Sequence, residues 1–481
     1  MPSQSKGAGG RYDLVVLGGG TAGLVSAIGA AGLGARVALI ERDRLGGDCL
    51  NTGCVPSKAL IRSARAAADV RRAHRFGVTS GSPTVEFTAV MSRMRERRAV
   101  LAVHDSAARL REAGVDVYAG HGRFVDPDHV EVAGSRLAFR RAVVATGGRP
   151  TAPPIPGLEE SGYFTNENIF DLERLPARLL VIGAGPIGCE LAQTFARFGS
   201  CVTVFDQARQ VLPREDHRAA ALAARGLMAD GVQLELGVRL DRVQSRGNEL
   251  CLNFSRRDGA EPGEVRGDAI LVAAGRAPNV EGLELTAAGI KADRAGVHTD
   301  DFLRTTNRRV YAAGDVCTHV KFTHAADAMA RIVVANALFF GRRRVSRLVI
   351  PWCTFTDPEV AHVGIAADAV ARSNGRVATV TVDFGRIDRA VLDDDGPGFL
   401  VIHHQRGRIR GATIAGPHAG ELIGEVAHAI SGRTSLTAFS NFIRPYPTYG
   451  DALRRAGDAY RRQALTPRVT SLLARYFQWT R

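Results

Sequence analysis

At 481 residues the chain is too long to fold around one ordinary core, so two to four domains are expected. It is 45% hydrophobic and only 6% aromatic, with 53 glycines, a composition suited to an α/β enzyme with tight phosphate-binding turns. The net charge of +14 invites a nucleic-acid reading, but only four of the 63 basic residues are lysine (Lys6, Lys58, Lys291 and Lys321) and the arginines are spread along the chain, so no nucleic-acid surface is expected.

The polar start, MPSQSKGAGG, has no signal-peptide pattern, and no run of 18 apolar residues comes after it, so neither a leader nor a membrane span is expected. Tyr12 to Leu17 (YDLVVL) has the pattern of a buried strand and runs into Gly18-Gly19-Gly20-Thr21-Ala22-Gly23 and an alanine-rich helix. This is G-x-G-x-x-G between a strand and a helix, where small residues let a pyrophosphate approach the helix N-terminus. A second strand, Arg36 to Ile40, ends at Glu41, eighteen residues past Gly23 and suited to the ribose hydroxyls of an adenosine.

Gly46 to Lys58 (GGDCLNTGCVPSK) then sets Cys49 and Cys54 five residues apart, a spacing that can close a small disulfide loop. The stretch from Pro56 to Gly77 reads as helix, which places Cys54 at or just before a helix N-terminus, where the dipole and free N–H groups favour a thiolate. Half a zinc site is the competing reading, but there is no second Cys/His pair at ligand spacing and no metal site is expected. The other five cysteines (189, 201, 251, 317 and 353) form no close pair, which does not suit a secreted disulfide framework and suggests a cytoplasmic protein.

The nucleotide unit recurs. Leu179 to Ile182 is a strand, Gly183-Ala184-Gly185-Pro186-Ile187-Gly188 the turn, Cys189 to Phe198 a helix, and Cys201 to Phe205 a strand ending at Asp206, again eighteen residues past the last glycine. Two such units imply two dinucleotides bound at once. Asp206 accepts from a free 2′-hydroxyl and repels a 2′-phosphate, which favours NADH; Arg209, three residues on, leaves NADPH possible. Strands ending in glycine turns recur at Val143 to Pro150, Leu271 to Asn279 and Val310 to Asp315, which makes Thr146, Gly147, Gly275, Gly314 and Asp315 candidate cofactor contacts. TAPPIPG (151–157) reads as a linker. From Val345 onward the texture changes to strands (ATVTVDF, GFLVIHH), a helical AGELIGEVAHAI and Pro445-Tyr446-Pro447.

In this order the landmarks resemble the pyridine nucleotide-disulfide oxidoreductases of the glutathione reductase, lipoamide dehydrogenase and mercuric reductase type, from Tyr12 to about Asp458. The resemblance implies two Rossmann-like α/β domains, for FAD and NAD(P), and an α+β dimerisation domain. The first FAD segment would be 1–150, the inserted nicotinamide domain 151–275, the second FAD segment 276–345 and the dimerisation domain 346–481. Carried over, Gly18, Gly20, Gly23 and Glu41 hold the adenosine half of FAD, Gly314 and Asp315 its ribityl and pyrophosphate part, and Gly183, Gly185, Gly188 and Asp206 the nicotinamide dinucleotide. Lys58 lies beside the flavin, paired with Glu190. Cys54 is the flavin-facing thiolate and Cys49 the interchange thiol.

The departure lies near the C-terminus. Where lipoamide and glutathione reductases carry a histidine and, five residues on, a glutamate given across the dimer as acid and base, this chain has Tyr446 and Asp451. With a free pKa near 10, tyrosine is a poor general base at neutral pH. Tyrosine there resembles mercuric reductase, yet the C-terminal cysteine pair and the fused metal-binding domain of that enzyme have no counterpart, the last cysteine being Cys353. His324, His403, His404 and His418 are the candidate replacements for the base. The expectation is a homodimer, its active site completed across the interface, that passes electrons from NAD(P)H through FAD to the cysteine pair and on to a metal ion, small disulfide or other electrophile. Dihydrolipoamide dehydrogenase activity is the first alternative and a flavin- and NAD-based redox sensor the second.

Overall fold

The computed structural model describes residues 10–481 apart from 248, 258 and 260; residues 1–9, most of the polar start with no leader pattern, lie outside these, Lys6 among them. The first sheet grows around β1 (Tyr12–Leu17), buried along its length except at Asp13, as a strand covered on both faces must be. α1 (Thr21–Gly32) follows, and β2 (Val37–Glu41) pairs parallel with β1. Val115–Ala119 lies beyond β2, and on the other side come Ser135–Val144 and then Val310–Ala312, all parallel. The last of these strands returns from the far side of an intervening unit, so two distant stretches of chain build one sheet. α2 (Cys54–Arg72) leaves the sheet at the cysteine motif.

The second sheet contains β3 (Arg178–Ile182), α3 (Pro186–Phe198) and β4 (Cys201–Asp206), with Gln233–Leu236 beside β4 and Ala269–Val272 beside β3, again parallel. Pro186 opens α3 at a position where a missing N–H costs nothing. An antiparallel ribbon of Val238–Arg246, Glu249–Arg256 and Gly263–Gly267 covers this unit. Where the chain enters and leaves it, Gly148–Pro150 and Arg276–Pro278 pair antiparallel, so the two crossings run side by side. α4 (Thr323–Leu338) then packs against α1 over the first sheet.

The remainder folds as a five-stranded antiparallel sheet in the order β5 (Pro351–Thr354), Glu359–Gly364, Arg408–Gly416, Phe399–Gln405 and Ala378–Asp383. Glu359–Gly364 and Arg408–Gly416 are nearly continuous buried runs in its middle, lacking the alternation that made the other strands legible. Ala419–Ser431 and α5 (Asp451–Arg462) cover it through Ile423, Val426 and Leu453. α6 (Pro467–Trp479) extends beyond.

Candidate active site

The carboxyl ends of the first sheet converge. Gly18 N–H donates to Ile40 O at 2.8 Å, Ala145 N–H to Leu17 O at 2.8 Å and Ala313 N–H to Val144 O at 3.0 Å, which brings Gly18, Glu41, Thr146, Gly147, Gly314 and Asp315 to one edge, where open α/β sheets bind ligands. A Cβ on Gly18 would lie 2.3 Å from Ala145 O, and one on Gly23 1.8 Å from Gly18 O. Gly20 caps α1 with no side-chain acceptor, so the first N–H groups of the helix are left for an anion. Glu41 accepts from Gly19 N–H at 2.5 Å and from Asp43 N–H at 2.8 Å, and its remaining lone pairs can take ribose hydroxyls. Asn279 pins the Thr146–Gly147 turn by accepting from Thr146 Oγ1 at 2.7 Å and donating to Thr146 O at 2.9 Å. Arg276 reaches Asp48 and lies 3.6 Å from Asp315, whose carboxyl is pushed up by burial.

The second unit repeats this construction. Asp206 accepts from Ala184 N–H and Ala208 N–H, both at 2.7 Å, and a Cβ on Gly188 would lie 1.9 Å from Gly183 O. At Gly185 a Cβ would meet nothing within 4 Å, so the approach to the N-terminus of α3 is open. Both turns therefore fit a dinucleotide. Arg209 is exposed. Gly275 lies at the seam between the units, its carbonyl accepting from Thr151 N–H at 3.1 Å.

Cys54 is the first residue of α2, while Cys49 sits in a helical turn of its own, Gly47–Asn51, rather than in an open loop. Both are free thiols in hydrogen-bonding contact. One turn into α2, Lys58 Nζ donates to Glu190 Oε2 at 2.7 Å across 132 residues of sequence. Glu190 is only 5% exposed, and its other oxygen accepts from Phe355 N–H at 2.8 Å. The Phe355 ring lies 4.6 Å beneath the Lys58 ammonium, a cation–π contact. Thr323, first residue of α4, holds its Oγ1 3.5 Å from Cys54 Sγ. The Cys49 bond first, then Thr323 and Lys58, draw the Cys54 thiol below the ordinary range against the opposing effect of burial. The same bond and burial push Cys49 up. The two thiols are thus biased in opposite directions, Cys54 toward ionisation and Cys49 away from it.

Tyr446 and Asp451 belong to another network. Tyr446 is 76% exposed and its hydroxyl donates to Asp388 Oδ2 at 2.9 Å, which raises the phenol pKa. Asp388 accepts from Arg455 at 3.2 Å, and Arg455 and Arg454 donate to Asp451 at 2.6 and 2.7 Å. Burial works to raise the Asp451 carboxyl, but the two guanidiniums hold it below the usual range. Among the described residues of one chain no hydrogen bond joins either residue to the cysteine pair. Of the candidate histidines, His324 is bonded to Pro351 O at 2.6 Å, His403 and His404 are buried, and His418 lies against the Tyr449 ring. Thr323, Phe355 and Asp388 were not singled out from sequence. The helical start FTHAA gives a weak signal for Thr323, and Phe355 and Asp388 give none, because their partners are remote in the chain.

The pyridine nucleotide-disulphide oxidoreductase family profile matches residues 12–330, and that of the family's dimerisation domain matches 350–456. A mercuric reductase of Acidithiobacillus ferrooxidans is 34% identical over 472 residues, covering 96% of this chain and 84% of its own. A dihydrolipoyl dehydrogenase of Bacillus subtilis (strain 168) is 30% identical over 469 residues, covering 92% and 97%. Among solved structures, the Cu(II) complex of the HOCl-induced flavoprotein disulfide reductase RclA from Escherichia coli superposes with a TM-score of 0.82 at 28% identity, covering 92% of this chain and 98% of that one.

Proposed function

Because the chain belongs to the pyridine nucleotide-disulphide oxidoreductase family and is a disulfide oxidoreductase that uses FAD and NAD(P)H, we propose that its reduced Cys49–Cys54 pair passes electrons to a thiophilic metal ion. The observation that carries this reading is the state of Tyr446. Its phenol donates a hydrogen bond to Asp388 and is harder to ionise than a free tyrosine, so it offers no base to a dithiol substrate. A soft cation needs none: it takes the Cys54 thiolate directly and displaces the Cys49 proton. One NAD(P)H supplies two electrons, enough to reduce one Hg(II) to Hg(0) or two Cu(II) to Cu(I), with release of NAD(P)+ and H+. The names of the relatives, mercuric reductase and a Cu(II) complex of a disulfide reductase, point the same way.

Bound FAD supplies two-electron transfer between the nicotinamide and the cysteine pair. The chain's part is to hold and bias the groups. In this reading the Gly18–Gly23 turn, Glu41, Thr146, Gly147, Gly314 and Asp315 hold FAD, and the Gly183–Gly188 turn with Asp206 holds the nicotinamide nucleotide. Glu190 fixes Lys58, whose charge stabilises the Cys54 thiolate. Asp206, already oriented by two backbone donors, favours NADH over NADPH. The segment Phe442 to Tyr446, exposed except at Arg444, would complete the metal entrance across a homodimer formed through the dimerisation domain.

The test is anaerobic NADH oxidation with Cu(II), Hg(II), lipoamide, glutathione disulfide and quinones, with Cys49→Ser as control. Metal-dependent turnover that disappears in the control is expected. Lipoamide turnover matching or exceeding the metal rate would replace this reading with dihydrolipoamide dehydrogenase activity, and no turnover with any acceptor would favour a redox sensor.

A further inference from the structure

From Pro467 to Trp479 every residue of α6 is exposed. Its apolar side chains nevertheless recur as Val469, Leu472, Leu473, Tyr476 and Phe477, the i, i+3, i+4, i+7, i+8 stripe of a helix with one face meant for burial, and Trp479, 83% exposed, stands beside them. A contiguous apolar face left in water marks an interaction surface. The helix is also well begun: Thr466 Oγ1 accepts from Val469 N–H, and Pro467 occupies the first turn. It lies beyond residues 350–456, the extent of the dimerisation-domain match.

Charge decides what covers the stripe. After Asp458 the chain has no acidic residue and carries Arg461, Arg462, Arg468, Arg475 and Arg481. A second copy brings the same net +14, and the acidic run Asp393 to Asp395 on its dimerisation domain is already engaged by Arg389, Arg75 and Tyr449. An anionic surface instead attracts every one of these arginines. Arg468 and Arg475, two turns apart, flank the stripe on one side, where their stems can follow the apolar face while the guanidiniums reach phosphate. Tyr476, Phe477 and Trp479 are side chains that settle at a lipid–water boundary. At about 20 Å for thirteen residues, α6 is too short to span a bilayer but long enough to lie in its surface, and no helix among the described residues is long and apolar enough to cross one. We infer that α6 is a membrane-surface anchor that lays this stripe into an anionic phospholipid headgroup layer and holds the oxidoreductase there.

The experiment is flotation of the full-length FAD-loaded protein with vesicles of phosphatidylglycerol and phosphatidylcholine in equal parts, against pure phosphatidylcholine. Co-flotation with the anionic vesicles only is expected, weakened by salt, with a blue shift of tryptophan emission that Trp479→Phe removes. The double change Leu472→Asp/Phe477→Asp should abolish flotation while leaving dimer mass and NADH oxidation per FAD unchanged. Arg468→Gln and Arg475→Gln should each weaken partitioning about fivefold. Failure to float with anionic vesicles would overturn the proposal. So would a double variant that turns dimer into monomer, which would identify a second copy as the occupant.

Discussion

The two sides of the cysteine pair are built differently. On the inner side Cys54, Lys58, Glu190, Phe355 and Thr323 come from α2, α3, the end of β5 and α4, and every charged atom has a fixed partner. On the outer side the exposed Tyr446 hydrogen-bonds Asp388, and Arg455 links Asp388 to the partly buried Asp451. Buried pairs hold geometry because a lost partner leaves a charge unsolvated, whereas exposed pairs can re-solvate at little cost. The inner side is therefore a rigid device for biasing one thiol. The outer side is a surface network that can rearrange at little cost.

Glu190→Leu is the change expected to break this contrast most severely. It leaves Phe355 N–H and Lys58 without their acceptor and should cost about 2–4 kcal/mol, at the low end of buried-pair losses because Lys58 retains access to water. Urea unfolding at fixed protein and FAD concentration measures it, and Glu190→Gln should recover part. Next comes Cys49→Ala, which removes the main support of the Cys54 thiolate. In the reduced protein Cys54 is alkylated above its lowered pKa and protected as pH falls through it; in the variant that fall should move to higher pH, with reaction near neutrality slowing about tenfold for each unit the midpoint moves beyond pH 7. A profile that stays in place would show that the contact with Cys49 does not bias Cys54.

Much of this inner side was legible because its signals are local. YDLVVL is the strand β1 to the residue, Glu41 and Asp206 close their strands, and the lack of glycine or proline after Pro56 foretold a long α2. Gly18, Gly23, Gly183 and Gly188 were legible because a Cβ there would collide with backbone, a constraint written in one residue type. What stayed hidden depends on contacts between distant segments. Thr323 meets Cys54 across 269 residues, and Phe355 meets Glu190 across 165. The ribbon joining Gly148–Pro150 to Arg276–Pro278 was visible only as two separate glycine turns, since pairing leaves no mark in either segment. Likewise the Tyr446 substitution was plain, but its bond to Asp388, 58 residues upstream, was not.

Thr323→Val sharpens the comparison on a smaller scale, by removing one hydroxyl and keeping the helix start. A long sulfur contact is worth less than an ordinary bond to a charge, so a loss of about 1 kcal/mol is expected, read as a rise of about 0.7 pH unit in the midpoint of Cys54 alkylation. Thr323→Ser should restore it.

Tyr446→Phe is expected to do least, and for that reason separates the two sides most cleanly. The phenol is exposed and its partner Asp388 keeps the Arg455 guanidinium, so no charge is stranded and no measurable change in stability is expected. Metal-dependent NADH oxidation should stay within about twofold of the parent between pH 6 and 9, because a group that ionises above its ordinary value near 10 has no proton equilibrium to contribute there. A loss that grows as pH rises through that interval would mean that the phenolate is the working form, with Asp388 displaced when the subunits join. The outer side would then be a catalytic base assembled by the dimer rather than an entrance without one.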